Sequence, residues 1–211
     1  MNKDQKNTSE NALRRMPTYL NYLKKILEEG NTVISTPKIA RDLDLNEVQV
    51  KKDLAYAATT SGKPKVGHKV ENLIHDLEEY LGYNDITNAV IVGVGHLGKA
   101  LLAYKEFESY GLKIIMAFDN NEKVIGKVVN GVEVYPINQL ENLCKGKNIK
   151  IGIITVNESS AQLICDKLVD AEIEAIWNFA TVKLISKNNV IIQNENMAAS
   201  LAVLSRKLSK K

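Results

Sequence analysis

The sequence predicts a mixed fold in which a helical domain precedes an α/β domain, and three observations support this prediction. Apolar runs typical of strands alternate with helical patterns from residue 89 onward. Before that point, apolar side chains recur at helical spacing. The charge also divides: residues 1–70 hold 13 Lys or Arg and 8 Asp or Glu (+5), whereas residues 71–211 hold 15 and 17 (−2). The two parts therefore differ in fold and in charge.

Three helices are expected in the basic part. The first follows Pro17 and ends at Gly30, and Thr36 is expected to cap the second, which ends near Asp44. Asn46 is expected to cap the third. Two short helices joined by a tight turn form a helix-turn-helix, whose second helix can lie in the major groove of DNA.

The third helix carries a polar face that includes Asp53, and a β-wing is expected after it. Gln49 stands where the partner of Asn46 in a capping box would be.

Alternating side chains over Val66–Val70 predict the wing strand. Lysines on the helix and wing could bind phosphates, although a solvated lysine face is the alternative. The DNA-contacting residues that these patterns predict are Gln49, Lys51, Lys52, Tyr56, Lys63 and Lys65.

A glycine-rich turn follows the first predicted strand, where an apolar run ends in Gly-Val-Gly-His-Leu-Gly. Gly93 allows a tight turn, Gly95 lets the backbone approach a pyrophosphate, and Gly98 lets helix and strand pack closely. A second strand over Leu112–Phe118 leads to Asp119, 21 residues past Gly98 and placed to bond a ribose hydroxyl. This spacing predicts a dinucleotide site; a tight turn with no ligand is the alternative.

The remaining elements predict a parallel sheet covered on both faces, a Rossmann-type nucleotide-binding domain. About 110 residues leave no room for a substrate domain, and no poised acid or base is evident, which argues against an enzyme. His96 is expected to face the pyrophosphate and not to act in catalysis. The predicted strands are Val132–Tyr135, Ile149–Thr155, Glu174–Asn178 and Val190–Gln193, and the predicted helices are Ile137–Leu143 and Ala161–Ala171.

Asp119 indicates which cofactor the site prefers. A carboxylate bonds the adenosine ribose hydroxyls and repels a 2′-phosphate, and the following residues Asn120, Asn121 and Glu122 include no Arg to receive one. NAD(H) is therefore expected in preference to NADP(H). Two alternatives stay open: a small NAD-dependent oxidoreductase, and a regulator that binds coenzyme A or another adenine nucleotide.

Domain limits follow from the helices that flank the sheet. A connecting helix over Glu71–Leu81, capped by Gly82, ends the first domain. The last segment repeats apolar side chains at helical spacing and is expected to pack on a second subunit; docking on its own domain is the alternative. The expected division is 1–84 for the winged-helix domain, 85–193 for the Rossmann domain and 194–211 for the C-terminal helix.

Other features predict a cytoplasmic protein without a metal. No apolar run approaches the roughly 20 residues of a membrane helix, and the polar start has no signal core. Cys144 and Cys165 lack neighbours at metal-ligand spacing and are expected to be free thiols.

Four motifs in this order resemble the Rex family of redox-sensing transcriptional repressors. They are Arg15–Leu20, Gln49–Leu54, Gly93–Gly98 continued by Ala117–Asp119, and Asn178–Ala180. The resemblance implies a homodimer whose winged helices bind palindromic operator DNA, whose Rossmann domains bind NADH or NAD⁺, and whose C-terminal helices are exchanged between subunits. It further implies that NADH closes the dimer and releases the DNA.

The resemblance also assigns residues to the two sites. Tyr104 matches the family tyrosine near the nicotinamide, and Arg15 and Tyr19 join the predicted DNA contacts. The predicted cofactor-binding residues are Gly93, Val94, Gly95, His96, Leu97, Gly98, Tyr104, Asp119, Asn120, Thr155, Val156, Asn157, Asn178 and Phe179.

Four positions depart from the family pattern. Lys51 stands where many members have Arg, which keeps the charge and loses the bidentate fork. His68 replaces a common Tyr, and Asn157 replaces a Pro or small residue. Asn196 stands where an Asp that bonds the partner's tyrosine is expected, so the response to NADH is expected to be altered.

Overall fold

The computed structural model describes residues 8–59, 67–186 and 188–209. Its chain divides into two compact units, 1–85 and 86–211, one residue past the expected boundary. Among the described residues, no helix is both long and apolar enough to cross a membrane.

The first unit is helical, with one small antiparallel pair of strands. Its described elements are α1 (Glu10–Glu28), β1 (Val33–Ile34), α2 (Thr36–Asp42), α3 (Glu47–Ala57), β2 (His68–Lys69) and α4 (Val70–Leu81). Of the expected wing strand, the described residues show β2 over His68–Lys69, and Val70 already begins a helix. Val66 lies outside the described residues. The wing lysines Lys63 and Lys65 also lie outside the described residues.

Helix α1 begins well before Pro17, contrary to the prediction. Ser9 caps it, since its Oγ accepts a hydrogen bond from the Ala12 N–H at 3.2 Å, and Pro17 lies inside the helix. One proline removes a single helical hydrogen bond, and the neighbouring Met16 and Leu20 are fully buried, so packing maintains the helix. The end at Gly30 is as predicted: its φ of +84° and its N–H bond to Leu27 O belong to a Schellman turn.

The helix-turn-helix is confirmed with one corrected cap. Ser35, not Thr36, caps α2, because its Oγ accepts from the Lys38 N–H at 3.3 Å. Asn46 caps α3 as predicted, with its Oδ1 accepting from the Gln49 N–H at 3.2 Å. Between them Asp44 has a φ of +53°, which reverses the chain in the tight turn.

Helix α4 belongs to the core of the first unit and does more than connect two domains. Leu73 and Leu77 are buried in one cluster with Leu20 and Leu23 of α1 and with Val50 of α3. Gly82 ends the helix in the left-handed conformation, as predicted (φ +73°). Helix α3 is therefore packed in one core with α1 and α4.

The second unit is built on a sheet whose strand order, in the described residues, is β5-β6-β4-β3-β7-β8-β9. Every pairing is parallel except that of β5 with β6. The parallel strands have the order typical of dinucleotide-binding sheets, in which the strand order reverses between β3 and β7. The strands are β3 (Thr87–Val92), β4 (Leu112–Asp119), β5 (Val128–Val129), β6 (Val132–Pro136), β7 (Ile149–Ile154), β8 (Ala175–Asn178) and β9 (Ile191–Asn194).

The predicted strands are confirmed within a residue or two, and β5 is an addition. It pairs with β6 across Asn130 and Gly131, both at positive φ, and the Asn-Gly pair is a known hairpin signal.

Helices cover both faces of this sheet, as predicted. Phe118, Ile164 and Leu168 belong to the cluster on one face, whereas Ile91 and Leu102 belong to the other. Two 3-10 helices, over Lys105–Tyr110 and Ile137–Gln139, extend this cover. The α-helices are α5 (His96–Ala103), α6 (Leu140–Cys144) and α7 (Glu158–Asp170).

Both cysteines are free and buried in the second unit. Burial raises the pKa of the Cys144 thiol to about 11, and it also raises the pKa of Cys165. The thiols therefore stay protonated and act as small apolar side chains.

The C-terminal helix α8 (Met197–Leu208) is not docked on its own domain, so that alternative is wrong. From residue 198 to 208 every side chain is exposed, including Leu201 (62%), Leu204 (55%) and Leu208 (63%). Asn196 caps the helix by accepting from the Ala199 N–H at 3.1 Å. An apolar stripe on a well-capped helix is thus left uncovered by the described chain.

Candidate nucleotide site and candidate DNA surface

The candidate nucleotide site lies where the carboxyl ends of β3 and β7 meet. Val92 is paired with Ile154 there, and the chain leaves the two strands toward different helices. Gly93 has a φ of +99°, and a Cβ on it would lie 3.0 Å from the Thr155 backbone. A Cβ on Gly98 would lie 2.0 Å from the Gly93 carbonyl oxygen. Both positions therefore require glycine for the turn itself.

Gly95 differs from the other two glycines. It precedes α5, and no described heavy atom lies within 4 Å of the position that a Cβ would take. The space beside it is open at a helix N-terminus, where unpaired backbone N–H groups favour an anion. This is the approach that a pyrophosphate would need.

Thr155 and Asn157 organise the second loop of the site. The Thr155 hydroxyl donates to the Gly93 carbonyl at 2.7 Å, so the loop after β7 braces the glycine turn. Asn157 caps α7 by accepting from the Ser160 N–H at 3.1 Å. Its departure from the family pattern thus has a structural explanation, and α7 directs a second N-terminus to the same sheet edge.

Asp119 links the end of β4 to the glycine turn. Its Oδ2 accepts from the Val94 N–H at 2.6 Å, and its Oδ1 accepts from the Asn121 N–H at 2.8 Å. The residue is partly exposed, and a carboxylate has about four lone-pair positions, so two stay open for ribose hydroxyls. Val94 contributes its backbone only, because its side chain is 2% exposed.

A row of aromatic rings extends across one face of the sheet, and the sequence analysis missed its middle. Tyr104 and Phe107 lie 4.9 Å apart between ring centroids, Phe107 and Trp177 5.7 Å, and Trp177 and Phe179 4.9 Å. The Trp177 Nε1 donates to Glu195 at 3.0 Å. The i, i+2 spacing of Trp177, in β8, and Phe179, directly after it, was the signal that could have found the row.

One predicted cofactor contact is wrong. Asn178 is fully buried, and its amide is occupied within the protein. Its Nδ2 donates to Val182 O and Asn194 Oδ1, both at 2.9 Å, and its Oδ1 accepts from the Ala180 N–H at 3.0 Å. Asn178 therefore shapes the loop after β8 and does not face a ligand.

The other predicted cofactor residues lie at or near the surface. Leu97, Val156 and Phe179 are partly exposed, and His96 and Asn120 are exposed. Among the described residues, no group of three acidic, His or Cys side chains could hold a metal ion.

The candidate DNA surface is the exposed side of α3. Gln49, Lys51 and Lys52 are exposed, whereas Tyr56 is half-buried.

Asp53 is a correction to the predicted polar face, since it is 1% exposed. Arg15 donates to it through Nε at 2.7 Å and through a terminal nitrogen at 3.0 Å, and Tyr19 donates its hydroxyl at 2.7 Å. Burial raises the pKa of Asp53, but the hydrogen bonds from Arg15, Tyr19 and Gln49 outweigh it and lower that pKa overall. Asp53 is thus a buried carboxylate that joins α3 to α1.

The prediction that Tyr19 contacts DNA is wrong, because its side chain is fully buried and burial raises its pKa to about 12. The guanidinium of Arg15 is committed to Asp53, and about a quarter of its side chain (27%) is exposed. The hydrogen bond to Asp53 raises the pKa of Arg15.

Asp76 is a further buried carboxylate that the sequence analysis missed. It is 7% exposed and accepts from the Thr59 N–H at 2.8 Å and from the Thr59 hydroxyl at 2.9 Å. It therefore anchors the segment that follows α3. His68 lies in β2, half-buried, and burial lowers its pKa, an effect that Asp76 partly offsets.

Comparison with known proteins supports both units. Residues 7–55 match the family model described as "Putative DNA-binding protein N-terminus", and residues 84–182 match the CoA binding domain. The repressor Rex of Treponema denticola is 38% identical over 92% of this chain and 91% of its own. The repressor Rex of Bacteroides fragilis is 33% identical over 98% and 94%.

Solved structures of a Rex-family repressor, RSP, are similar over almost the whole chain. The complex of RSP with NAD⁺ and operator DNA has a TM-score of 0.89 and 32% identity, covering 96% of this chain and 93% of RSP. The complex of RSP with NADH has a TM-score of 0.86 and 31% identity, covering 97% and 95%.

Fold and site together define a transcriptional regulator with a Rossmann-type sensing domain. The chain belongs to the Rex family of redox-sensing transcriptional repressors. Because its relatives are named as repressors, it is a regulator and not an enzyme.

Proposed function

We propose that this chain is a homodimeric repressor that binds operator DNA through α3, binds NAD(H) at the β3–β7 edge, and releases the operator when NADH binds. The observation that carries the proposal is the 2.6 Å hydrogen bond from the Val94 N–H to Asp119, one residue before the open space at Gly95. A ribose and a pyrophosphate can then be held together. Two structures of RSP, one with NAD⁺ and operator DNA and the other with NADH, support this choice of ligand.

Charge explains how one site could distinguish the two redox forms. The nicotinamide ring is positively charged when oxidised and neutral when reduced, so an apolar wall disfavours NAD⁺ through desolvation. The rings from Tyr104 to Phe179 offer such a wall, with Tyr104 45% exposed at one end. A ligand shifts a conformational equilibrium only by its difference in affinity for the two states. Preference for the neutral ring in a closed state supplies that difference.

The homodimer is supported by helix α8. Its exposed leucines would be covered by a second copy of the chain, whose own helix would be covered in return. A two-fold dimer presents two α3 helices, so the operator is expected to be palindromic. A repressor that binds bacterial operators and the free NADH pool would work in the cytoplasm.

One experiment tests the switch. A duplex operator, obtained by selection from a random DNA library with the full-length protein, is titrated with protein at fixed NAD⁺, and NADH is then added. We expect the fluorescence anisotropy of labelled DNA to fall as NADH rises, with no NADH consumed. If the DNA stays bound and its anisotropy does not change as NADH is added, the proposal is refuted.

Coenzyme A is the second candidate ligand, because residues 84–182 match the CoA binding domain. Calorimetry with NADH, NAD⁺, NADPH, coenzyme A and ATP separates the candidates. We expect NADH to bind most tightly and NADPH to bind more weakly, since the Asp119 carboxylate repels a 2′-phosphate. Tighter binding of coenzyme A than of NADH would indicate that the protein senses coenzyme A and not the redox state.

A further inference from the structure

A chain of hydrogen bonds connects the interior of the first unit to the exposed side of α3. Asp53 is buried at its centre, bonded to Arg15 and Tyr19 of α1. It also accepts from Gln49 Nε2 at 3.0 Å. Gln49 is the exposed member of this group. The interior therefore sets the orientation of a side chain that faces outward.

The ionised state of Asp53 decides which end of the Gln49 amide points toward it. A carboxylate can only accept hydrogen bonds, so the NH₂ group of Gln49 must face Asp53. The three donors around Asp53 favour this ionised state. The amide oxygen and the second N–H of Gln49 are then available to a partner outside the protein.

This arrangement differs from helix capping, the structural role expected for Gln49. A capping-box amide would turn back to the Asn46 N–H, but the Gln49 amide bonds Asp53 one helical turn ahead. The bond also restricts a long side chain, so less of its conformational freedom is lost on binding. Gln49 is thus preorganised.

We propose that Asp53 is a positioning residue that presents Gln49 to adenine in the major groove. The inference depends on the proposed binding of operator DNA. Adenine shows one acceptor, N7, and one donor, N6–H₂, in that groove, which match one N–H and the oxygen of Gln49. Guanine shows two acceptors there, thymine lacks the donor, and cytosine lacks the acceptor. Only adenine satisfies both free atoms of the amide.

The roles of the neighbouring side chains follow from which oxygen of Asp53 each one bonds. Tyr19 bonds Oδ2 of Asp53, whereas Gln49 bonds Oδ1. Removing the Tyr19 hydroxyl therefore weakens the support of Asp53 but leaves the bond to Gln49. Lys51 and Lys52 are exposed charges that can bind phosphates of any sequence.

The test is a selection of duplexes from a random DNA library, followed by sequencing, with the full-length protein and its variants. We expect the wild type to enrich adenine at one position of each half-site. Gln49→Ala and Asp53→Asn should both lose this preference at the same position, by about 5- to 100-fold. An Asn at 53 would offer its own N–H₂ to the Gln49 amide and free it to turn.

The matched control is Tyr19→Phe, which should lower the unfolding temperature and keep the adenine preference. If Asp53→Asn does not fold, the double variant Arg15→Gln/Asp53→Asn, which leaves no unpaired buried charge, should show the same loss. The inference is overturned if Gln49→Ala keeps every base preference, or if the Gln49 and Asp53 variants change different positions. A wild type that enriches no sequence overturns the proposed binding of operator DNA together with the inference.

Discussion

At the scale of single residues, the carboxylates Asp53 and Asp119 both accept hydrogen bonds but lie in different surroundings. Asp53 is buried, and its oxygens accept hydrogen bonds from Arg15, Tyr19 and Gln49 within the first unit. Asp119 is partly exposed and accepts two backbone hydrogen bonds, from the Val94 and Asn121 N–H groups, so part of its carboxylate stays open to solvent. Burial therefore distinguishes the structural carboxylate Asp53 from Asp119, which we propose binds a ligand.

Replacing Asp119 should weaken NADH binding without unfolding the domain. Hydrogen bonds to a charged group contribute about 1.5 to 3 kcal/mol, so Asp119→Ala should raise the dissociation constant for NADH roughly 10- to 100-fold. The chain has one tryptophan, Trp177, so energy transfer from it to bound NADH gives the titration. The control is Asp119→Asn, which should bind NADPH less poorly relative to NADH. Unchanged NADH affinity in Asp119→Ala would contradict the assigned role.

The glycines of the turn offer a matched pair of substitutions. Gly98→Ala places a Cβ 2.0 Å from the Gly93 carbonyl, which is backbone and cannot move aside, so the unfolding temperature should fall. Gly95→Ala meets no described atom within 4 Å, so stability should be kept while NADH affinity falls. Thermal unfolding and NADH titration of both variants check this. The assignment fails if Gly95→Ala binds NADH as the wild type does.

At the scale of elements, the contact between α1 and α3 depends on an ionised Asp53. Its pKa is held below the ordinary value of 3.8 in the folded state, so its stabilising effect is complete above the unfolded pKa and is lost as the pH falls through the folded pKa. The helix-turn-helix thus depends on a contact between distant helices as well as on its own caps.

Acid should therefore break the contact between α1 and α3. Removing the Tyr19 hydroxyl should make the first unit unfold at a higher pH. Circular dichroism of Tyr19→Phe during acid titration is expected to show a midpoint at higher pH than the wild type, because one donor that lowers the pKa of Asp53 is gone. Tyr22→Phe, which loses an exposed hydrogen bond to Asp42, is the control and should shift less. Equal midpoints for wild type and Tyr19→Phe would exclude the role of the buried carboxylate.

At the scale of the whole molecule, helix α8 has an apolar side that no described part of its own chain covers. Its stripe of Leu201, Leu204 and Leu208 is more than half exposed, while the sheet of the same unit is covered on both faces by other elements. Exposed apolar surface of this kind marks an interaction site. A second copy of the chain is the partner that the proposed function requires.

Charging this stripe should separate the subunits. Leu201→Asp/Leu204→Asp is expected to sediment as a monomer and to lose operator affinity by at least 10-fold, because one recognition helix remains per molecule. Ala199→Asp adds an acid on the opposite side of the same helix and should stay dimeric. A double variant that still sediments as a dimer would show that α8 is not the interface. Analytical ultracentrifugation and anisotropy measure both quantities.

The sequence by itself determined most of the strands and helices along the chain, and the glycine turn, because these depend on spacings of a few residues. The cap at Asn46, the end at Gly30 and the strand leading to Asp119 could all be predicted from such local patterns. The family motifs added the nature of both candidate sites.

Only the tertiary structure decided which polar residues face inward. Arg15 and Asp53 are 38 residues apart in the chain, and Asn178 and Asn194 are 16 apart, so no local pattern shows that they meet. Tyr19 and Asn178 thus changed from predicted contacts to buried supports. Their burial depends on how α1 packs on α3 and how β8 pairs with β9, and packing of that kind becomes visible only when the whole chain is folded.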